Sequence, residues 1–229
     1  MKPVVLVHGG WHGPWCWERI TPALERAGVP WVAVDLPSCR DAHRGCDLID
    51  DAAEVNAVLD GLDGVEPAVV LGHSRGGMVL SEIGRHPRVG HLVYLGALLL
   101  ELGEKSADVL GDTRLRANIE PLADGATMPG MALAPDIYYN DCTGEDIAWA
   151  LSNLRPQVLG GRGPSATGDA WRSTPSTYVV CARDRAFHPD GQRLVAARAG
   201  AVLEWDTGHS PFISRPDLVS TLLIGLAAG

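Results

Sequence analysis

Ala68-Val69-Val70-Leu71-Gly72-His73-Ser74-Arg75-Gly76-Gly77 is the stretch that decides the fold. An apolar, Val-containing run leads into Gly-x-Ser-x-Gly, and a helical pattern begins at Arg75. A strand that turns sharply into a helix through this pattern presents its serine at the carboxyl end of the strand. The serine takes a strained backbone position, and side chains two residues away on either side collide with the turn. Gly72 and Gly76 occupy those two places. A glycine-rich turn with an incidental serine is the plain alternative. The flanking strand and helix favour the elbow.

Five further short apolar runs read as buried strands, at residues 4–8, 31–35, 91–95, 177–182 and 201–205. They are continuous rather than alternating, as expected where both faces of a strand are covered. Helical spacing falls between them, over 15–27, 48–62, 75–85, 189–199 and 216–227. This alternation predicts an α/β architecture with a parallel sheet and helices on both faces. The rhythm breaks between Leu98 and Pro175, where no strand pattern is convincing. That stretch holds several prolines and the glycine cluster Gly160-Gly161-Arg162-Gly163, with short helices expected over 106–119 and 143–153. So long a non-strand segment inside one domain predicts a functional insert, a helical cap over residues 99–165.

The 229 residues suit a single domain over 1–229. Hydrophobic residues are 46% and charged residues 21%, an ordinary globular balance that argues against disorder. The formal charge of −9 argues against nucleic acid and anionic membrane surfaces as partners. The apolar run after Lys2 is too short for a secretory signal, and no stretch reaches the length of a membrane span. Cys16, Cys39, Cys46, Cys142 and Cys181 are odd in number and lack Cys-x-x-Cys spacing. Free thiols in a cytoplasmic protein, with no metal site, are the expectation.

A serine hydroxyl becomes a nucleophile when a base takes its proton. His209 follows the last strand and precedes the last helix, and it is the candidate base; His188 is its competitor. Asp184 follows the penultimate strand and is the candidate acid. Its plain reading is a cap or a surface partner of Arg183 or Arg185, and Asp206 is a rival placed to shape its own loop. Developing negative charge on a substrate oxygen needs donors, and the backbone N–H groups of Gly10 and Arg75 stand at the two places that supply them. Gly9, Trp11, His73, Met128, Met131, Tyr138 and Trp149 are candidates to line a substrate pocket. The last four lie in the cap, where each also has a packing reading. His73 adjoins the serine with its side chain expected to point away, while Trp15 and Trp17 read as packing.

These residues together resemble a known group. Pro3-Val-Val-Leu-Val-His-Gly-Gly-Trp-His-Gly-Pro-Trp-Cys-Trp is similar to the opening of the plant methylesterase and hydroxynitrile lyase family of α/β-hydrolases and its small bacterial esterase relatives. Gly72-His-Ser-Arg-Gly-Gly, Tyr139-Asn-Asp-Cys, Tyr178-Val-Val-Cys-Ala-Arg-Asp and Gly208-His-Ser-Pro-Phe-Ile-Ser-Arg-Pro carry the resemblance nearly to the end of the chain. The order Ser74, Asp184, His209 is also that of α/β-hydrolases. The resemblance implies an α/β-hydrolase fold: a six-stranded parallel sheet flanked by helices, with the helical cap inserted after the fourth strand. It also implies that the chain opens at what is usually the third strand of the fold, the two preceding strands being absent.

Lyase members resemble one another in a threonine after the first histidine and a lysine after the catalytic one. Gly9 and Ser210 stand there in this chain. A cation is needed to receive cyanide as an anion, so its absence favours ester hydrolysis. Plant esterases usually carry apolar residues where Arg75 and Ser210 stand. Arg75 has two readings: contact with an anionic substrate group, or pairing on the helix surface. The expected function is a serine carboxylesterase acting on a small ester, without cofactor, as a monomer or homodimer. Lyase, cyclase or cofactor-free oxygenase chemistry on the same fold, or a ligand-binding receptor that retains the triad, are the alternatives.

Overall fold

The computed structural model describes residues 1–83, 85–110, 114–158 and 167–229. Strands β1 (Val4–Val7), β2 (Trp31–Val34), β3 (Ala68–His73), β4 (Val89–Leu95), β7 (Ser176–Cys181) and β8 (Ala201–Trp205) form one sheet in the order β2-β1-β3-β4-β7-β8. Every pairing in it is parallel. Parallel neighbours need crossovers, and helices supply them. In chain order these include α1 (Thr21–Arg26), α2 (Pro37–Arg40), α3 (Leu48–Asp60) and α4 (Gly76–Ile83). After β7 come α9 (Pro189–Ala196), α10 (Pro211–Ser214) and α11 (Pro216–Ala228).

Successive side chains along a strand point to opposite faces, so a sheet covered on both sides needs two cores. The strands divide that way. Val5, Val7, Val70, Tyr94 and Val180 enter one buried cluster, together with Val55 and Leu59 of α3 and Val79 of α4. Val4, Leu6, Leu71, Val93 and Val179 enter the other, with Leu24 of α1 and Val219 and Leu223 of α11. This division is why the strands read as unbroken apolar runs. β8 departs from that reading. It is mostly exposed, because it closes the sheet edge with β7 on one side only.

Helix boundaries follow local chemistry. Asp47 caps α3 by accepting Ile49 N–H, while Asp50 accepts the Asp47 N–H in return. Such a reciprocal pair satisfies two donors that a helix start otherwise leaves orphaned. The single helix expected over 15–27 is two pieces, a 3₁₀ turn at Pro14–Trp17 and then α1, each with a proline in its first two positions. Trp17, Ile20 and Leu24 still share a buried face.

The segment between β4 and β7 holds α5 (Ser106–Leu110), α6 (Arg114–Ala117), α7 (Ala134–Tyr138) and α8 (Gly144–Asn153). It also contains a small antiparallel hairpin that sequence reading did not expect, β5 (Ile119–Pro121) with β6 (Thr127–Pro129). Three-residue strands that each end in proline leave no periodic signal. They exist because Gly125 turns at φ 83° and because Thr127 pairs with Gln157, 30 residues on. The helix expected over 106–119 ends early, since β5 begins at Ile119. The glycine cluster at 160–163 and the expected cap boundary at Ser165 lie outside the described residues.

Among the described residues no helix is long and apolar enough to cross a membrane. Leu71 is fully buried between the central strands and the second core. Leu71→Ala should lower the unfolding free energy by about 2–5 kcal/mol. Val202→Ser on exposed β8 should change it by less than about 0.5 kcal/mol. Urea titrations of the two variants check the contrast.

Candidate active site

β3 lies between β1 and β4, and the chain leaves its carboxyl end through Ser74 into α4. Ser74 has φ 51°, one of two non-glycine residues with positive φ among those described. The turn is held on all sides: Ser74 N–H donates to Leu95 O at 3.2 Å, and Ser74 O accepts from Gly77 N at 3.1 Å and Leu98 N at 3.0 Å. A Cβ on Gly76 would lie 2.8 Å from the carbonyl oxygens of Val7 and His8. One on Gly72 would lie 2.7 Å from Leu80 Cδ1. These two contacts are the collisions that Gly-x-Ser-x-Gly avoids.

Asp184 follows β7 and His209 follows β8. The two loops are tied by Ala182 N–H to Trp205 O and Arg183 N–H to Thr207 O, both at 2.8 Å. His209 Nδ1–H donates to Asp184 Oδ2 at 2.7 Å, with the residues 2% and 3% exposed. Asp184 has no spare acceptor direction. Its Oδ1 takes Ala186 N–H at 2.7 Å and Phe187 N–H at 2.9 Å, and its Oδ2 also takes Gln192 Nε2–H at 2.7 Å. Four donors hold the charge and the direction of one carboxylate. Sequence reading missed Gln192. It is a fully buried amide on α9 whose Oε1 accepts Cys181 N–H at 2.9 Å. Its only sequence signal is its place eight residues after Asp184.

Asp141 was also missed. Its Oδ2 accepts Gly208 N–H at 2.6 Å and Ser214 Oγ–H at 2.9 Å, so the inserted segment braces the His209 loop. The rivals stand elsewhere. Asp206 is exposed and pairs with Arg183 at 3.0 Å. His188 is exposed and caps α9.

Ser74 and His209 open on one cavity of about 240 Å³, with Gly10, Trp11, His73, Arg75 and Tyr138 also in its wall. Met78, Leu98, Leu115, Ile119 and Phe187 make it largely apolar, and Arg116 adds a cation. No hydrogen bond joins Ser74 Oγ to His209 Nε2 among the described contacts, a looseness common before substrate binds. Gly10 N–H and Arg75 N–H meet no protein acceptor among the described residues.

Four expected pocket residues are not in the described wall. Gly9 instead packs against His73, whose Nδ1 would lie 2.6 Å from a Cβ there. Met128 is held in the β5–β6 hairpin and packs into the second core. Met131 is 45% exposed. Trp149 turns edge-on to Trp15 at 5.1 Å and lies under the Arg19 guanidinium at 5.2 Å. Arg75 follows neither of its readings, because its guanidinium enters a buried ion pair with Asp51. Among the described residues no group of three or more His, Cys, Asp or Glu side chains could hold a metal ion.

Three histidines around the site are held neutral chiefly by burial, and His8 and His12 also by a donor and an acceptor partner each. His8 donates from Nδ1 to Gly9 O at 2.9 Å and accepts Leu36 N–H on Nε2 at 3.2 Å. His12 donates from Nδ1 to Gly10 O at 2.7 Å and accepts Tyr139 O–H on Nε2 at 2.9 Å. His73 donates from Nε2 to His209 O at 2.8 Å. Burial lowers His8 to about 4 and His12 to about 3, and pushes His73 well below the usual value.

The chain belongs to the alpha/beta hydrolase family, whose sequence model matches residues 4–222. Salicylic acid-binding protein 2 of Nicotiana tabacum is 28% identical over 252 residues, covering 99% of this chain and 97% of its own. Putative methylesterase 14, chloroplastic, of Arabidopsis thaliana is 28% identical over 251 residues, with 99% and 72% covered. Among solved structures, a methylesterase from Arabidopsis superposes with TM-score 0.82 at 22% identity, over 100% of this chain and 99% of that one. A pyrethroid hydrolase from Sphingobium faniae JZ-2 gives TM-score 0.84 at 21% identity, over 100% and 98%. The resemblance to plant methylesterases therefore extends to the fold and to whole-length sequence similarity.

The buried neutral histidines set an acid limit. Below pH 6.5 the unfolded chain takes up protons that the folded chain refuses until about pH 4 at His8 and about pH 3 at His12. More protons bound in the unfolded state means stability falls as pH drops through that window. For His8 the full loss is about 3 kcal/mol. Urea midpoints should fall steadily between pH 6.5 and 4, and His12→Gln should flatten the slope. An unchanged midpoint across this range contradicts the assignment.

Proposed function

We propose that the protein is a serine carboxylesterase that cleaves a small, largely apolar carboxylic ester through an acyl-enzyme. The observation that carries this reading is the buried Asp184–His209 pair at 2.7 Å opening on the same cavity as the strained Ser74 turn. Relatives named as methylesterases support an ester as the substrate class. The absence of a lysine after His209 supports hydrolysis over release of cyanide.

Ser74 Oγ attacks the ester carbonyl carbon as His209 Nε2 accepts its proton. Asp184 receives the Nδ1–H bond, keeps Nε2 as the free nitrogen and stabilises the imidazolium that forms. The backbone N–H groups of Gly10 and Arg75 donate to the carbonyl oxygen as it becomes an oxyanion. The tetrahedral adduct collapses, and the alcohol leaves with the proton from His209. Water then attacks the acyl carbon, giving its proton to His209, and Ser74 recovers that proton as the carboxylic acid departs. The segment between β4 and β7 serves as a cap on this site, with Leu98, Leu115, Ile119 and Tyr138 among its contributions to the cavity wall. The apolar lining and the modest volume suit a compact ester rather than a long lipid.

Ser74→Ala should reduce kcat on p-nitrophenyl acetate by at least about 10³-fold while leaving the melting temperature near that of the parent. Wild-type enzyme should show an initial burst of p-nitrophenol wherever deacylation is slower than acylation. Undiminished turnover by the alanine variant would sink the reading.

A further inference from the structure

Arg75 follows the nucleophile directly, and its side chain begins a line of buried polar groups. Nη1 donates to Asp51 Oδ2 at 2.6 Å, with both side chains buried. Asp51 also accepts Ser38 N–H at 2.9 Å on Oδ1 and Ser38 Oγ–H at 2.7 Å on Oδ2. Ser38 Oγ in turn accepts Gln157 Nε2–H at 2.9 Å. Gln157 Oε1 accepts the Trp11 backbone N–H at 2.8 Å. Ser38, Asp51 and Gln157 are all fully buried. Every side-chain polar atom of Asp51, Ser38 and Gln157 has a partner of the opposite kind, which is the condition for a buried network to order its surroundings.

The two ends of this line matter most. Trp11 follows Gly10, and Arg75 carries the other N–H assigned to the oxyanion. These donors lie on separate loops, after β1 and after β3, and only their relative placement makes a site for one oxygen. Trp11 sits at φ 62°, a conformation that costs about 1–3 kcal/mol unless the surroundings impose it. Gln157 supplies that constraint and also limits Gly10, since a Cβ there would lie 3.1 Å from Gln157 Oε1. Gln157 is itself pinned. Its N–H and C=O pair with Thr127 at 3.0 and 2.8 Å, and the next residue, Val158, donates to Ser38 O at 3.0 Å.

We propose that the buried line Arg75–Asp51–Ser38–Gln157–Trp11 sets the spacing of the two oxyanion donors, with Gln157 as the positioning residue that ties the loop after β1 to the β5–β6 hairpin. This role rests on the esterase reading above. It acts on the transition state, because the ground-state carbonyl oxygen needs the donors far less than the oxyanion does. The charge of Arg75 is thereby committed to Asp51 rather than to substrate.

Gln157→Leu leaves Trp11 N–H without its acceptor and takes from Ser38 Oγ the amide donor it accepts. With p-nitrophenyl acetate, kcat should fall about 10- to 100-fold with KM within about threefold. Affinity for a trifluoromethyl ketone, which forms an oxyanion on Ser74, should weaken by the same factor as kcat. Ser38→Ala removes the middle of the line but keeps the Arg75–Asp51 pair, and should shift both quantities in the same direction by a smaller factor. Circular dichroism and melting curves establish that each variant is folded. If Gln157→Leu does not fold, Ser38→Ala is judged by the same measures. A kcat within twofold of the parent, or a change confined to KM, overturns the positioning role. Ser74→Ala separates the two readings. If it is inactive while the Gln157 and Ser38 variants are unimpaired, the positioning role alone falls. If it is active, the esterase reading falls and takes the positioning role with it.

Discussion

Ser74 stands at φ 51° where the central strand becomes a helix, and the site is arranged around that kink. Left-handed backbone at a residue with a side chain is unfavourable, so it persists only where neighbours impose it. Here the neighbours are backbone groups: Leu95 O, Gly77 N and Leu98 N grip Ser74, while Gly76 lets α4 approach the end of β1. The kink raises the hydroxyl off the sheet edge. Strands on both sides keep it there, because β3 is paired with β1 and β4 along its length.

The candidate acid and base answer to the same sheet edge. β7 and β8 are parallel neighbours, so their carboxyl-terminal loops emerge side by side, and two backbone hydrogen bonds join them. Asp184 and His209 meet for that reason, although 25 residues separate them. Gln192 and the N–H groups of Ala186 and Phe187 then absorb the rest of the carboxylate's acceptor capacity. A buried charge without such partners would cost several kcal/mol. With them, it is aimed at one nitrogen.

Polar groups buried around the site divide by what they organise. His8, His12 and His73 are neutral, donate to carbonyls, and shape the loops that carry Gly10 and His209. Arg75, Asp51, Ser38 and Gln157 are threaded between the loops that carry the N–H groups of Gly10 and Arg75. Neither set reaches the reacting atoms with a side chain in the scheme proposed. Both are expensive to bury unless they are satisfied, and the hydrogen bonds of Asp51, Ser38 and Gln157 meet that cost.

The strands, their parallel arrangement, the elbow and the Ser74, Asp184, His209 order were legible in the sequence, because each is a local pattern: an apolar run, a glycine spacing, a residue at a strand's end. The helices expected over 48–62 and 143–153 begin within a residue of those bounds, where the structure shows Asp47 and Thr143 as caps. What the tertiary structure alone decided are matters of direction and long-range contact. Arg75 turns to Asp51 because α3 brings a buried carboxylate beside α4, a fact no spacing encodes. The β5–β6 hairpin exists through its bridge to Gln157, and Met128 and Trp149 are drawn away from the cavity by packing that depends on every neighbour at once. Local patterns specify backbone because backbone hydrogen bonds are short-ranged in sequence or periodic. Side-chain destinations are set by close packing among segments far apart in the chain, and so they appear only once the chain is folded.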